Sequence, residues 1–277
     1  MANAETHTLA DLLASHPLLP SAWRAGIAAG DFLANHRPAG LQVDTKSSPT
    51  DAVTAMDRDA EAMISAELLR DRPDDGLLGE EGGERIGTSG TRWIVDPLDG
   101  TVNYLFRLPM WGVSIAAEVD GIVEVGVVVT PEFGEAYIAV RGQGAWLVAG
   151  DEARRLTGSS CADLSTAMVA TGFGYAAAMR ERQSVVATGL ITQIRDVRRM
   201  GAAVVDFCWL ARGRLDAYYE QGLNAWDIAA GALIASESGI VVTGLHDEDF
   251  SSFMLAAAPG IAPVLRAALV ELRADEV

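Results

Sequence analysis

The stretch Trp93-Ile94-Val95-Asp96-Pro97-Leu98-Asp99-Gly100-Thr101 sends an apolar strand into two aspartates three residues apart. Proline fixes its own φ and pushes the residue before it, Asp96, into an extended conformation. Gly100 permits a sharp turn or a close backbone approach. Thr101 is then placed to open a helical turn, whose N–H groups suit an anion such as phosphate. Asp96 and Asp99 are therefore expected to converge at the strand's end. A lone D-P-x-D-G turn needs no function, because Asp and Gly are ordinary turn residues. Two further stretches argue for more. Upstream, Leu77-Leu78-Gly79-Glu80-Glu81-Gly82 is another apolar strand ending in carboxylates. Far downstream, in Ala225-Trp226-Asp227-Ile228-Ala229-Ala230-Gly231, Asp227 stands where an N-cap precedes an apolar helix.

Four carboxylates in one pocket cannot stand without cations. Two unit charges ~4 Å apart repel by roughly 4 kcal/mol at an effective dielectric near 20. The cluster must protonate or bind metal, and magnesium is the hard ion that all-oxygen sites prefer. Zinc is disfavoured, because His7, His16, His36 and His246 are scattered and none adjoins these motifs. Two such metals can position a water and neutralise the departing oxygen of a phosphate ester.

Outward from this centre, residues 21–35 and 52–69 read as helices, and 92–95, 111–119, 122–130 and 135–140 as strands. Asp120-Gly121 is a hairpin signal between two of them. Residues 141–160 are richer in glycine and charge, which places an internal boundary there, between halves 1–150 and 151–277. The second half alternates: strand 166–170, helices 177–194 and 202–212, strand 215–219, helix 228–238, strand 253–257 and a last helix to about 273. Gly239 stands where a C-terminal helix glycine belongs. The pattern is layered α+β, with an antiparallel sheet first and an α/β half second.

The 277 residues suffice for a large core. Thirty-eight acidic residues against 21 basic ones give a charge of −17, which argues against nucleic acid as partner. No apolar run reaches the length of a membrane span. The first residues, MANAETHTLA, lack the pattern of a signal peptide. Cys161 and Cys208 alone give no disulfide framework, so a cytoplasmic setting is expected.

The chain resembles the inositol monophosphatase family of lithium-sensitive, magnesium-dependent phosphatases. The likeness runs from about Lys46 to Pro259 and rests on four blocks: Lys46-Ser47-Ser48-Pro49 through Asp57, Gly79-Glu80-Glu81, Asp96 to Asn103, and Trp226 to Gly231. It implies an α-β-α-β-α sandwich like that of inositol monophosphatase and fructose-1,6-bisphosphatase, a homodimer, and two or three magnesium ions per subunit. Glu80, Asp96 and the Leu98 carbonyl would hold the first ion, and Asp96, Asp99 and Asp227 the second. A third would sit near Glu80. The nucleophile would be a water on the first ion, oriented by Glu80 and Thr101, with Asp57 accepting a hydrogen bond from Thr101. Gly100 and Thr101 N–H groups would cradle the phosphate. Gly201, Ala202, Ala203 and Glu220 would line the alcohol pocket, and Lys46 would lie on a loop approaching the metals. Family members often carry Ser or Thr where this chain has Ala202.

The implied substrate is a small phosphate monoester, with myo-inositol 1-phosphate first and histidinol phosphate or another sugar or nucleotide phosphate as alternatives. A reading of another class is a regulatory protein-binding module with secondary phosphatase activity. An intact set of metal-site positions favours the enzyme.

Overall fold

Alternation along the strand Thr91–Asp99 builds two layers at once. Trp93 and Val95 face a core shared with the helices Leu19–Asn35 and Ala55–Asp71, while Ile94 faces the opposite core. The computed structural model describes residues 6–38, 43–45 and 52–276. Lys46 and its expected loop contact lie outside them.

A nine-stranded sheet runs in the spatial order Thr6–Thr8, Glu152–Arg155, Gly144–Ala149, Glu135–Val140, Ile122–Thr130, Gly112–Val119, Thr91–Asp99, Gly76–Gly79, Gly83–Arg85. Neighbours are antiparallel except Gly76–Gly79 and Thr91–Asp99, which are parallel with Gly79 opposite Val95. Because these two strands point the same way, Glu80 leaves the sheet beside Asp96. A five-stranded sheet follows, in the order Asp196–Arg198, Met168–Thr171, Ala217–Gln221, Phe253–Ala257, Val241–Thr243.

Helices Ala203–Ala211 and Ala225–Glu237 lie between the two sheets. Val204, Cys208, Ala230 and Leu233 pack on the large sheet, and Phe207, Leu210, Ile228 and Ala232 on the small one. Helices Ala177–Leu190 and Ala262–Glu271 cover the small sheet's outer face through Val186, Leu190, Leu265 and Leu269. The layers are thus α-β-α-β-α, the order that the family resemblance implies.

Asp120 and Gly121 have φ of 51° and 84°, and they join Gly112–Val119 to Ile122–Thr130 as the hairpin signal indicates. Two expectations are corrected. Within the stretch 141–160, where the internal boundary is expected, Gly144–Ala149 and Glu152–Arg155 form a hairpin that extends the large sheet. The boundary expected near residue 150 falls inside it. The helix expected from residue 52 begins at Ala55, since Ala52–Thr54 pairs with Val43–Thr45.

Gly126 lets the sheet approach the backbone of helix Ala225–Glu237, because a Cβ there would lie 2.9 Å from the Ala230 carbonyl oxygen. Gly126→Val is expected to destabilise the protein by about 1–3 kcal/mol through overpacking. Urea unfolding measures this, and an unchanged midpoint would refute the close approach.

Candidate active site

In a regular strand, residues three apart face opposite ways. Asp96 and Asp99 escape this because the ladder slips between them: Asp96 pairs with Ser114, and Asp99 with Gly112. The one-residue excess is a β-bulge, which re-aims a side chain. Asp96 is 1% exposed, and its Oδ1 accepts the Leu98 N–H at 3.0 Å. Gly100 then turns the chain at φ +88°, with the Met110 carbonyl oxygen only 2.8 Å from where a Cβ would sit. The short helix Thr101–Leu105 begins there, as the sequence suggests.

Helix starts hold the other carboxylates. Asp99 Oδ2 accepts the Val204 N–H at 2.7 Å, at the head of helix Ala203–Ala211. Asp227 is not the N-cap of its helix, as expected, but its third residue. The cap is Asn224, whose N–H donates to Asp227 Oδ2 at 2.6 Å. Asp57 occupies the same position in helix Ala55–Asp71, and its Oδ2 accepts both the N–H and the hydroxyl of Thr54 at 2.8 and 2.6 Å. A helix N-terminus favours negative charge at such positions. Asp57 Oδ1 accepts the Thr101 hydroxyl at 2.9 Å, and the Leu98 carbonyl is that hydroxyl's alternative acceptor at 3.1 Å.

One carboxylate oxygen each from Asp96, Asp99 and Asp227 lie within 4.8 Å of one another. Burial, then the charges of Glu80, Asp99 and Asp227, pushes the Asp96 pKa well above the usual carboxylate range. Burial followed by Asp227 does the same to Asp99. The donor set is oxygen alone, with no His or Cys lining the cleft among the described residues. It fits a hard divalent cation and relieves the repulsion once occupied.

The three aspartates open into a cleft of about 910 Å3, which Glu80, Leu98, Gly100, Thr101 and Gly201 also line. Asp57 stands behind Thr101. Ala202 and Ala203 are buried beneath the wall, and Ala202 packs under Gly100. Glu220 does not line this cleft. It borders a separate cavity of about 10 Å3 with Thr171 and Gly172, and it accepts the Tyr218 hydroxyl at 2.6 Å. Burial raises its pKa to about 7, against the opposing pull of Tyr218 and Arg199.

Sequence reasoning missed the basic mouth formed by Arg37, Arg107, Arg180 and Arg199. Only Arg199 carried a signal, as a basic residue just ahead of Gly201 in an acidic chain. Asn103 was also missed as a brace. Its amide donates to the carbonyls of Met110 and Met200 at 2.6 and 2.8 Å, and so ties the bulged strand's exit to the Gly201 wall.

Acids with raised folded-state pKa values hold protons that the unfolded chain has released. For Glu220 the window runs from 4.5 to about 7, and Asp96 and Asp99 shift in the same direction. The contribution of each to stability therefore falls as pH rises from its unfolded value towards its raised folded one. In chelator, the thermal midpoint is expected to decline from pH 5 to pH 8 more steeply than in Asp99→Asn. Equal slopes in the two proteins would contradict the mutual repulsion.

The sequence matches the inositol monophosphatase family over residues 15–276. It is 44% identical over 236 residues to the inositol-1-monophosphatase SuhB of Mycobacterium tuberculosis, covering 82% of this chain and 81% of that one. It is 38% identical over 269 residues to the Nus factor SuhB of Escherichia coli K12, covering 95% and 97%. Among solved structures, the extragenic suppressor protein suhB of Bartonella henselae superposes with a TM-score of 0.84 at 34% identity, covering 92% and 98%. The IMPase of Thermotoga maritima does so with a TM-score of 0.82 at 29% identity, covering 91% and 96%. With this fold and these carboxylates in one cleft, the chain belongs to the inositol monophosphatase family and is a phosphoric monoester hydrolase.

Proposed function

We propose that the chain hydrolyses myo-inositol 1-phosphate to inositol and phosphate with two or three magnesium ions per subunit. The observation carrying this reading is the convergence of Asp96, Asp99 and Asp227 within 4.8 Å in the cleft that Glu80 lines. Glu80, Asp96, Asp99, Asp227 and the Leu98 carbonyl would hold the ions. Divalent ions there supply Lewis-acid polarisation of the phosphate and offset the charge that develops on the departing oxygen.

The chain's own groups do the positioning. With its proton directed to Asp57 Oδ1, the Thr101 hydroxyl turns its lone pairs outward to accept a hydrogen bond from the attacking water and so orient it. Asp57 is braced by Thr54, so the Thr101 oxygen is oriented before substrate arrives. Gly100 and Thr101 N–H groups are assigned to the phosphate. Water adds at phosphorus, the ester P–O bond breaks, and one water proton ends on the alcohol. Gly201, with Ala202 and Ala203 beneath it, is assigned to the alcohol side; Glu220, which borders a separate cavity, is not.

A second reading draws on the E. coli relative named a Nus factor. A chain of charge −17 suits a basic protein partner, so a contact with transcription proteins is compatible with the phosphatase. A cytoplasmic homodimer is the matching proposal for location and assembly. No described helix is long and apolar enough to cross a membrane.

Phosphate release from inositol 1-phosphate, histidinol phosphate, fructose 1,6-bisphosphate and adenosine 3′,5′-bisphosphate, with and without magnesium, tests the proposal. Inositol 1-phosphate is expected to lead, and only with magnesium; a lead for histidinol phosphate would reassign the substrate. Asp99→Asn is expected to lower turnover by about 100-fold or more with the fold intact by circular dichroism, and wild-type turnover would sink the metal assignment. Thr101→Val, nearly isosteric, is expected to cost about 10²- to 10⁴-fold in kcat. Unchanged kcat would remove Thr101 from the mechanism.

A further inference from the structure

Helix Ala55–Asp71 carries a second buried carboxylate one turn beyond Asp57. Glu61 is 5% exposed, and each of its oxygens accepts a backbone N–H: Glu81 donates to Oε2 at 2.8 Å and Gly82 to Oε1 at 2.6 Å. These are consecutive amides in the turn that follows Glu80, where Gly76–Gly79 reverses into Gly83–Arg85. The turn is shaped around the carboxylate, since a Cβ at Gly79 or at Gly82 would lie 2.6 Å from it. From the other side, the Glu80 N–H donates to the Val95 carbonyl at 3.3 Å. The backbone of Glu80 is thus held between the strand that bears Asp96 and the helix that bears Glu61.

We propose that Glu61 is a positioning residue for Glu80: by gripping the two amides that follow, it fixes where the Glu80 carboxylate stands relative to Asp96. The inference rests on the reading of Glu80 as a metal ligand. Bonds from N–H groups to an ionised carboxylate are short and strong, and a bidentate pair also fixes orientation. Through Asp57 and Thr101 the same helix sets the water-orienting hydroxyl, so one rigid rod spaces both groups.

Calorimetric titration with magnesium chloride tests this without needing turnover. In Glu61→Gln one oxygen becomes an NH2 that meets an N–H donor, so only one of the two bonds survives. Ion affinity is expected to fall about 10- to 100-fold, the usual cost of losing a group that orients a ligand. The ion concentration for half-maximal activity should rise by the same factor, with substrate KM at saturating ion unchanged. Gly82→Ala keeps the carboxylate but intrudes on it, and it is expected to shift ion affinity in the same direction. It also keeps the test open should Glu61→Gln not fold. A merely structural Glu61 would lower the unfolding midpoint in chelator and leave ion affinity at the wild-type value. That result, in whichever variant folds, overturns the inference alone. Wild-type protein that takes up no magnesium overturns both this inference and the metal reading beneath it.

Discussion

Like charges forced together are the constraint on which the rest of this structure depends. Asp96, Asp99 and Asp227 meet within 4.8 Å, and the fold must hold them there against their own repulsion. It does so with the backbone. Asp96 accepts an N–H from Leu98, Asp99 from Val204, Asp227 from Asn224 and nearby Asp57 from Thr54. Three of those four donors sit at the starts of helices, where partial positive charge gathers. Fixed dipoles of this kind steady a carboxylate without neutralising it, so the cluster keeps its appetite for a cation.

The architecture follows from the need to bring those donors to one place. The parallel pairing of Gly76–Gly79 with Thr91–Asp99 delivers Glu80 and Asp96 side by side. The bulge after Asp96 turns Asp99 to the same side. The two helices between the sheets present their N-terminal ends to this point, one holding Asp99 and the other carrying Asp227. Gly126 and Gly100 mark where backbones come too close for a side chain.

Much of this is legible in the sequence, because the strongest signals are local. The strand Ile122–Thr130 shows itself through its apolar, β-branched run and the Asp120-Gly121 turn before it. The motif residues of the cleft are found through their residue types and turn chemistry. What stays hidden depends on register or on distant partners. The bulge between Asp96 and Asp99 can be seen only once Ser114 and Gly112 are paired opposite. Asp227 reads as an N-cap because Asn224, three residues earlier, leaves no apolar period to mark the true start. The stretch 141–160 reads as the place of an internal boundary because Gly144 and the charged Glu152–Arg155 mask the strands. The strands Gly83–Arg85, Asp196–Arg198 and Val241–Thr243 are three residues each, too short for a period to show. Glu61 could have been found, since it falls among Ala60, Ile64 and Leu68 on the helix's buried stripe, where a carboxylate demands an explanation.

The place of helix Ala225–Glu237 between the two sheets has a consequence for how the protein comes into being. Asp227 is carried on a helix packed from both sides, and the packing on its outer side includes Phe253–Ala257, late in the sequence. Contacts so distant in sequence form late, because loop closure must precede their reward. During synthesis, a ribosome-bound chain therefore carries Asp96 and Asp99 well before it can complete the set. Competence then waits on Phe253–Ala257, so the site's last aspartate is set in place by a strand made after it.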